Sequence, residues 1–326
     1  PSWTGGGTPV FIRLEPSPDK NSNGVILAVQ DTAGTSSNLH AAYWNGSSWS
    51  QQASFAVGIS TSGTGNIFSQ VFDVAWTSGG VKAIVAWGVL PGTLAGQQTP
   101  FYRIWYSTNT AWAVGTSTAP DLDGGATSEI PRWIRLASDP NSQNIAMGVA
   151  DGDLDLTAMI WDGNTQVWGN QLTNAETAIS QVANGYRPFD LAYERGGGQL
   201  LLAYTDGNAY LRCRTWTSGG GWLTEAACLT DTVGTTPIRN IEIISNPNDP
   251  VSDEMLIAVT NSGRQIRTYR WNGGSFDAAY TPTLFSQWTW ETYPNAGMPF
   301  AMAYTRDFTQ PTAAITAPVN NQHNAA

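Results

Sequence analysis

Short apolar runs alternate with polar turns along almost the whole chain. Five runs read "VILAVQ", "KAIVAW", "NIAMGVA", "LLLAYT" and "MLIAVT", and turn sequences such as "TSGG", "ERGGG", "TDGN" and "TNSG" separate the apolar segments. Runs of this length between glycine- and asparagine-rich boundaries predict β-strands. No stretch of useful length follows the helical period. The pattern therefore predicts an all-β fold whose inner strands are packed on both faces.

A hairpin bounded by two aromatic residues recurs five times. In the first copy, "YWNGSSW", Asn45-Gly46 supplies a dipeptide typical of tight hairpins. The first aromatic residues of the five copies lie 61, 56, 55 and 55 residues apart, a regular internal repeat. We expect these rings to close the outer hairpin of each unit and to fill the gap to its neighbour. The ten aromatics are Trp44, Trp49, Trp105, Trp112, Trp161, Trp168, Trp216, Trp222, Trp271 and Phe276.

Each hairpin follows two other strand patterns, so that one unit holds about four strands. The units start near residues 9, 70, 131, 187, 238 and 298, with first strands such as "FIRLEPS" and "FDVAWTS". Odd units have a long first turn and even units a tight one, which indicates a two-unit module present three times. Four strands in about 55 residues predict a β-propeller, with six blades of four-stranded antiparallel sheet favoured over five or seven.

The predicted propeller covers residues 1–310, and its sixth unit is incomplete. Residues 311–326 are either a tail or the start of a following domain, since "PTAAITAPVNN" resembles the opening strand of immunoglobulin-like domains. The repeats resemble propeller units of bacterial secreted and cell-surface proteins. Their diglycine turns resemble Kelch repeats, and their hairpins resemble the Asp-box of sialidase propellers without its aspartate in four of five copies. The resemblance implies an architecture and no particular activity.

The composition indicates a secreted or surface-exposed protein. Charged residues make up only 12% of the 326 residues, and the only lysines are Lys20 and Lys82. The net charge of −10 and the absence of a basic run argue against a nucleic-acid partner. No apolar run approaches the roughly 18 residues that would span a bilayer, so no membrane insertion is expected.

The two cysteines flank the fourth aromatic hairpin. A bridge between Cys213 and Cys228 would fit an oxidising compartment. Pairing Trp216 with Trp222 would place Cys213 opposite Glu225, however, so a disulfide needs a bulge or a shifted register. The sequence leaves bridged and unbridged cysteines as equal alternatives.

The sequence offers little for catalysis. A Ser-His-Asp arrangement would have to use His40, and no nucleophile-elbow motif accompanies it, so none is predicted. Paired acids could serve a propeller glycosidase. We instead predict that Asp73 and Asp190, at matching positions in "FDVAW" and "FDLAY", form inter-blade ion pairs with Arg13 and Arg135.

No cofactor is predicted, although calcium remains an option. The segment "APDLDGGATSE" offers the oxygen ligands that calcium takes, from Asp121, Asp123 and Glu129. It does not complete a twelve-residue calcium loop, and ordinary turn propensity explains it as well.

Two segments stand out as candidates for ligand binding. The insertion "GVLPGTLAGQQTP" lengthens one hairpin of the second unit alone, and "FSQWTWETYPN" departs from the other units. The candidate ligand contacts in or beside them are Trp87, Leu94, Gln97, Trp288, Trp290 and Tyr293.

These features predict an extracellular, non-enzymatic binding or structural module of a bacterial surface protein. Adhesion or scaffolding is the first expectation, with a protein or glycan at the cell surface as partner and with self-association as an option. A carbohydrate-binding lectin and a propeller glycosidase or sialidase-like enzyme are the alternatives.

Overall fold

A computed structural model describes the chain in segments. These are residues 7–33, 36–57, 59, 69–89, 99–122, 130–179, 186–208, 210–224, 226–227, 237–247, 253–262, 266–276, 284–285, 300–304 and 313–316. They hold 24 strands and one 3₁₀ turn, Ser78–Gly80. No helix in these segments is long and apolar enough to cross a membrane. The chain divides into two compact units, residues 1–177 with 182–185 and residues 178–181 with 186–326.

The first unit contains three antiparallel sheets, each with strands in chain order. Sheet 1 consists of β1 (Thr8–Pro16), β2 (Val25–Ala33), β3 (Ser36–Trp44) and β4 (Trp49–Val57). Sheet 2 consists of β5 (Phe72–Trp76), β6 (Lys82–Trp87) and β7 (Phe101–Tyr106), with β8 (Ala111–Trp112) and β9 (Ser117–Thr118) both paired to β7. Sheet 3 consists of β10 (Pro131–Ser138), β11 (Asn144–Asp151), β12 (Leu156–Asp162) and β13 (Val167–Glu176).

The second unit repeats the same meander. Sheet 4 consists of β14 (Phe189–Tyr193), β15 (Leu200–Thr205) and β16 (Leu211–Thr217), with β17 (Gly221–Trp222) and β18 (Ala226–Ala227) both paired to β16. Sheet 5 consists of β19 (Ile238–Ser245), β20 (Glu254–Asn261), β21 (Ile266–Asn272) and β22 (Leu284–Phe285). Sheet 6 pairs β23 (Ala301–Tyr304) with β24 (Ala313–Thr316). Part of the segment predicted as a tail therefore pairs with the first strand of sheet 6.

Successive sheets within each unit pack face to face through apolar side chains. Between sheets 1 and 2, Ile26 and Leu39 meet Val74 and Val85 in one buried cluster. Similar clusters lie between sheets 2 and 3, 4 and 5, and 5 and 6. Middle strands such as β6 and β20 are buried at almost every position because they are covered on both faces.

The aromatic hairpins turn where local side chains fix the backbone. The Asn45 side-chain oxygen accepts hydrogen bonds from the backbone N–H groups of Ser47 (3.0 Å) and Ser48 (2.9 Å). Gly46 has a φ of +98°, a conformation that side chains disfavour. In sheet 3 the carboxylate of Asp162 caps the turn in the same way, and the backbone N–H of Asn164 lowers the pKa of that carboxyl.

Odd and even sheets differ in a regular way. Sheets 1, 3 and 5 have a β-bulge near the start of their first strand pair, whereas the corresponding pairs of sheets 2 and 4 are regular. Sheets 2 and 4 have an outer strand broken into two two-residue pieces, β8 and β9 or β17 and β18, while β4 and β13 are continuous. The alternation read from turn lengths thus extends to strand geometry.

Candidate functional site

In the first unit, tyrosine side chains fill the outer part of each junction between sheets. Tyr43 of sheet 1 stacks on Trp105 of sheet 2, with ring centroids 4.3 Å apart. Tyr102 of sheet 2 meets Trp168 of sheet 3 edge to face, with a centroid distance of 5.7 Å. These ring contacts occupy the space between the paired hairpins.

The junction between sheets 4 and 5 is open instead. Thr215 immediately precedes the first tryptophan of its hairpin, as Tyr43 does in sheet 1, and Cys213 takes the place of Tyr102. Because both residues are small, a cavity of 470 Å³ remains between the outer part of sheet 4 and the hairpin of sheet 5. This volume is within the range of roughly 300–1,000 Å³ typical of small-molecule sites.

The cavity combines aromatic walls with uncharged polar groups. Trp271 and Phe276 lie edge to face on the sheet 5 side, with ring centroids 5.3 Å apart. Leu223, which is 51% exposed, lies on the sheet 4 side. Uncharged polar side chains complete the lining: Gln199, Thr215, Thr224 and Ser275. Among the described residues, nothing is hydrogen-bonded to the side chains of Gln199, Thr215 or Thr224.

The charged residue of β16 near the cavity is Arg214. Cys213 and its cross-strand partner Ala203 belong to the apolar cluster that faces sheet 5. Arg214, the next residue of β16, is paired with Leu202, which is not in that cluster. Arg214 is the one charged residue of the cavity lining in the described part of the chain. Because successive side chains of a strand point to opposite faces, its position on β16 lies on the face opposite to Cys213 and Thr215. The other lining residues are uncharged.

The hairpin of sheet 5 is held in place by its own polar contacts. The Asn272 side-chain oxygen accepts hydrogen bonds from the backbone N–H groups of Gly274 (3.3 Å) and Ser275 (3.0 Å). Gly273 has a φ of +93°, and a Cβ atom there would lie 2.5 Å from the Cβ of Asp253. Both constraints require glycine at position 273 and keep the rim of the cavity in one conformation.

A buried carboxyl group anchors the aromatic wall from behind. The indole N–H of Trp271 donates to Oε1 of Glu194 over 2.8 Å. Burial raises the pKa of Glu194 to about 7, the hydrogen bond from Trp271 opposes that rise, and the nearby Asp253 adds to it. At neutral pH this acid is partly protonated while it holds the tryptophan.

The predicted aromatic pairs lie directly across their hairpins in all five units. Trp44 pairs with Trp49, Trp105 with Trp112, Trp161 with Trp168, Trp216 with Trp222, and Trp271 with Phe276. Several of them also pack on the preceding sheet of the same unit.

Asp73 lies at the centre of an ion-pair cluster that joins three sheets. Its side chain is fully buried, with Oδ1 at 3.2 Å from Nε of Arg13 and Oδ2 at 3.1 Å from Nη1 of Arg135. Oδ2 also accepts a hydrogen bond from the backbone N–H of Leu136 over 2.9 Å. Burial raises the pKa of the neighbouring Glu15 to about 7. The buried Asp73 carboxylate therefore serves as a link between sheets 1, 2 and 3.

Asp190 is also fully buried, and its side chain forms an ion pair with Arg187, three residues earlier in the chain, with Nη2 at 3.3 Å from Oδ2. It is linked to sheet 5 by a hydrogen bond from the backbone N–H of Ile243, over 2.9 Å. The inter-blade ion pair predicted for Asp190 stays a prediction. Position 187 precedes β14, outside the strand pattern from which the pairing was predicted.

Trp87 differs from its prediction as a ligand contact. It is only 1% exposed and packs between Phe55 and Phe101, at centroid distances of 5.6 and 6.3 Å, so it is not available to a ligand. The other proposed ligand contacts lie outside the described residues: Leu94, Gln97, Trp288, Trp290 and Tyr293.

Of the predicted calcium ligands, only Asp121 is described, and its backbone carbonyl accepts a hydrogen bond from the side chain of Gln171. Asp123 and Glu129 lie outside the described residues. No group of three or more potential metal ligands occurs in the part of the chain that the structure covers.

Cys213 is engaged in a disulfide. It is paired with Ala226, one position beyond the register set by Trp216 and Trp222, so the predicted shift in register is present. Cys228 lies outside the described residues, and its pairing with Cys213 stays a prediction.

Comparison with solved structures tests the fold. AofleA from Arthrobotrys oligospora is similar with a TM-score of 0.53 and 12% identity, covering 97% of this chain and 82% of that chain. Together with the repeated antiparallel sheets, this likeness shows that the fold is a β-propeller. The Aleuria aurantia lectin, described as a six-bladed β-propeller with a novel fucose recognition mode, gives a TM-score of 0.45 at 15% identity over 82% of this chain and 75% of that chain. The SapL1 lectin, in complex with alpha methyl fucoside, gives a TM-score of 0.44 at 17% identity, and the match covers 76% of this chain and 74% of that chain.

No family model matches the sequence, and no curated protein matches it significantly. At these identities the likeness concerns the propeller fold. The predicted all-β propeller is confirmed, and the six sheets of the described residues agree with the favoured blade number.

Proposed function

We propose that this propeller is a carbohydrate-binding module that holds a neutral saccharide in the cavity between sheets 4 and 5. The observation that carries the proposal is a 470 Å³ cavity with Trp271 and Phe276 on one side and neutral hydrogen-bonding groups around it. Adhesion at a cell surface through a bound glycan is the setting that we propose. An extracellular location is supported by the disulfide at Cys213, since disulfides persist in oxidising compartments.

The chemistry of the lining favours a sugar over other small molecules. A pyranose has C–H groups that pack on aromatic rings and hydroxyls that both donate and accept hydrogen bonds. The amide of Gln199 and the hydroxyls of Thr215 and Thr224 also donate and accept, so they are suited to bind sugar hydroxyls. Because Arg214 is the one charged residue of the lining and lies on the face of β16 opposite to Cys213 and Thr215, a neutral sugar suits the cavity better than a sialic acid or a phosphorylated sugar.

The test begins with a glycan array that includes neutral hexosides, fucosides and sialosides, followed by calorimetry on the best neutral hit. Thr215→Tyr places in sheet 4 the side chain that fills the matching position of sheet 1. We expect it to weaken binding at least about tenfold, whereas Thr215→Ser, which keeps the hydroxyl, retains binding. Equal affinity of the Tyr variant and the wild type would refute this site.

A second pair of variants separates the aromatic wall from general effects on the fold. Phe276→Ala should lose most of the affinity, because the ring forms one side of the cavity. Trp112→Ala removes the aromatic at the same hairpin position of sheet 2, where Tyr43 and Phe55 fill the junction, and should leave affinity unchanged. A protein that binds no glycan on the array would contradict the proposed function as a whole.

A further inference from the structure

One histidine of sheet 1 lies in a hydrogen-bonded chain that the proposed saccharide site does not use. Nδ1 of His40 is 2.9 Å from the hydroxyl of Ser54, and Nε2 is 3.0 Å from Oδ2 of Asp31. His40 and Asp31 are 3% and 2% exposed, whereas Ser54 is exposed to solvent. An accessible hydroxyl is thus connected to a buried imidazole and a buried carboxyl.

A β-bulge in the β3–β4 pair brings Ser54 opposite His40. Leu39 is paired with Ala56, but the next residue of β3, His40, is paired with Ser54, so that Phe55 is the extra residue of β4. Phe55 packs against Trp87 of sheet 2. Without the bulge Ser54 would be paired with Ala41 and would lie on the opposite face from His40. Bulges that re-aim a side chain in this way are common beside functional sites.

The contacts of Asp31 determine how the imidazole is oriented. Its carboxyl also accepts hydrogen bonds from the backbone N–H of Gly7, over 2.6 Å, and from that of Asn38, over 3.1 Å. An ionised carboxylate only accepts hydrogen bonds, so Nε2 of His40 carries the proton. Nδ1 then has a lone pair that can take the proton of the Ser54 hydroxyl. Asp31 is a positioning residue in this arrangement, and Ser54 and His40 are the reacting groups.

We propose that Ser54 is an activated nucleophile that accepts acyl groups from esters. Ser54 Oγ forms a bond to the carbonyl carbon of the ester while its proton moves to Nδ1 of His40. The bond from that carbon to the alcohol oxygen breaks, and the alcohol leaves with the proton from His40. Water then attacks the acyl-serine through the same proton transfers, which releases the carboxylic acid and restores Ser54. Because Ser54 is exposed, an ester can approach its hydroxyl from solvent.

The first experiment uses a fluorophosphonate, which a nucleophilic serine attacks at phosphorus with loss of fluoride, and peptide mass spectrometry to locate the adduct. We expect one adduct, on Ser54, formed about 10²-fold faster or more than on other exposed serines. Ser54→Ala should abolish labelling. Ser50→Ala should not, because Ser50 lies on the same strand but bonds to a backbone carbonyl. Labelling of Ser54 at the rate of other serines would refute the proposal.

The second experiment measures turnover of p-nitrophenyl acetate by the wild type and by Ser54→Ala. Hydrolysis that depends on Ser54 supports the proposal, and equal hydrolysis by both proteins contradicts it. Ser54→Ala is a substitution at an exposed strand position, so both proteins can be compared in the folded state.

The role of Asp31 has a spectroscopic test that does not depend on activity. The chain has two histidines, so the imidazole nitrogens of His40 can be assigned directly by ¹⁵N-correlated NMR. We expect a protonated Nε2 and an unprotonated Nδ1 at neutral pH in the wild type and in Ser54→Ala. A proton on Nδ1 would rule out proton transfer from Ser54, whatever the stability of the fold.

Discussion

At the scale of single residues, three buried or half-buried acids have a pKa near neutrality. Burial raises the pKa of Glu15, Asp151 and Glu194 to about 7 in each case. These carboxyls bind protons in the folded protein at a pH at which they have lost them in the unfolded chain. Stability therefore falls as the pH rises through the interval between the two pKa values.

Glu194→Gln should remove one part of this pH dependence. The ordinary pKa of the group is 4.5 and the folded value is about 7, so the folded state binds more protons between these values. The wild type should lose on the order of 3 kcal/mol at most from Glu194 as the pH rises across that interval. The amide oxygen of the variant can still accept the Trp271 hydrogen bond.

Denaturant unfolding of both proteins below pH 4.5 and above pH 7 measures this difference. The stability of Glu194→Gln relative to wild type should rise with pH. A constant difference across the interval would contradict the raised pKa.

At the scale of the elements, single aspartates tie one sheet to the next. Asp73 connects sheet 2 to Arg13 of sheet 1 and to Arg135 and Leu136 of sheet 3. Asp190 connects sheet 4 to sheet 5 through the N–H of Ile243. Strands of only five residues, such as β5 and β14, gain from such links because they bury little surface of their own.

Asp73→Asn should therefore strongly destabilise the fold, because it removes the buried anion that pairs with both Arg13 and Arg135. Breaking a buried pair in this way costs roughly 3–5 kcal/mol. Urea unfolding at neutral pH measures the loss, and a loss below about 1 kcal/mol, as for an exposed pair, would contradict this role of Asp73.

The sequence predicted the elements well because aromatic and apolar residues mark them. The five paired hairpins follow from residues such as Trp44 and Trp49, whose spacing requires no knowledge of the fold. The bulge at Phe55 has no such mark, since one extra residue in a strand leaves the apolar pattern almost unchanged. The Ser54–His40 contact could not be predicted for that reason.

The cavity was missed because it results from small side chains. Thr215 and Cys213 attract no attention as single residues. The small size of Thr215 becomes evident only when the position before each hairpin tryptophan is compared between units. That position is Tyr43 in sheet 1 and Ile104 in sheet 2. The sequence instead points to large aromatics such as Trp87 as ligand contacts. Large rings are more often buried in the core, as Trp87 is.

At the scale of the whole molecule, the repeats allow matching positions of two sheet junctions to be compared. The residue before β15 is Gln199, beside Thr215, and the matching positions of sheet 1 are Gly24 and Tyr43. A Cβ atom on Gly24 would lie 2.5 Å from the Tyr43 hydroxyl, so glycine and tyrosine occur there as a complementary pair.

The double variant Gly24→Gln with Tyr43→Thr should open a second cavity between sheets 1 and 2. We expect calorimetry to show about two bound saccharides per chain instead of about one, with a loss of stability of roughly 3–5 kcal/mol for the emptied tyrosine site. Tyr43→Phe, which keeps the ring, is the control and should leave the stoichiometry unchanged. An unchanged stoichiometry in a folded double variant would contradict this prediction.

Tyr43 fills the junction between sheets 1 and 2, and Thr215 leaves the junction between sheets 4 and 5 open. This difference affects how many saccharides one chain can bind. Under the proposed function, the junction between sheets 1 and 2 differs from the receptive junction between sheets 4 and 5 by one or two side chains. On a surface dense in glycans, each added site multiplies retention through a high effective concentration. Avidity in such a protein can therefore evolve stepwise, one junction at a time.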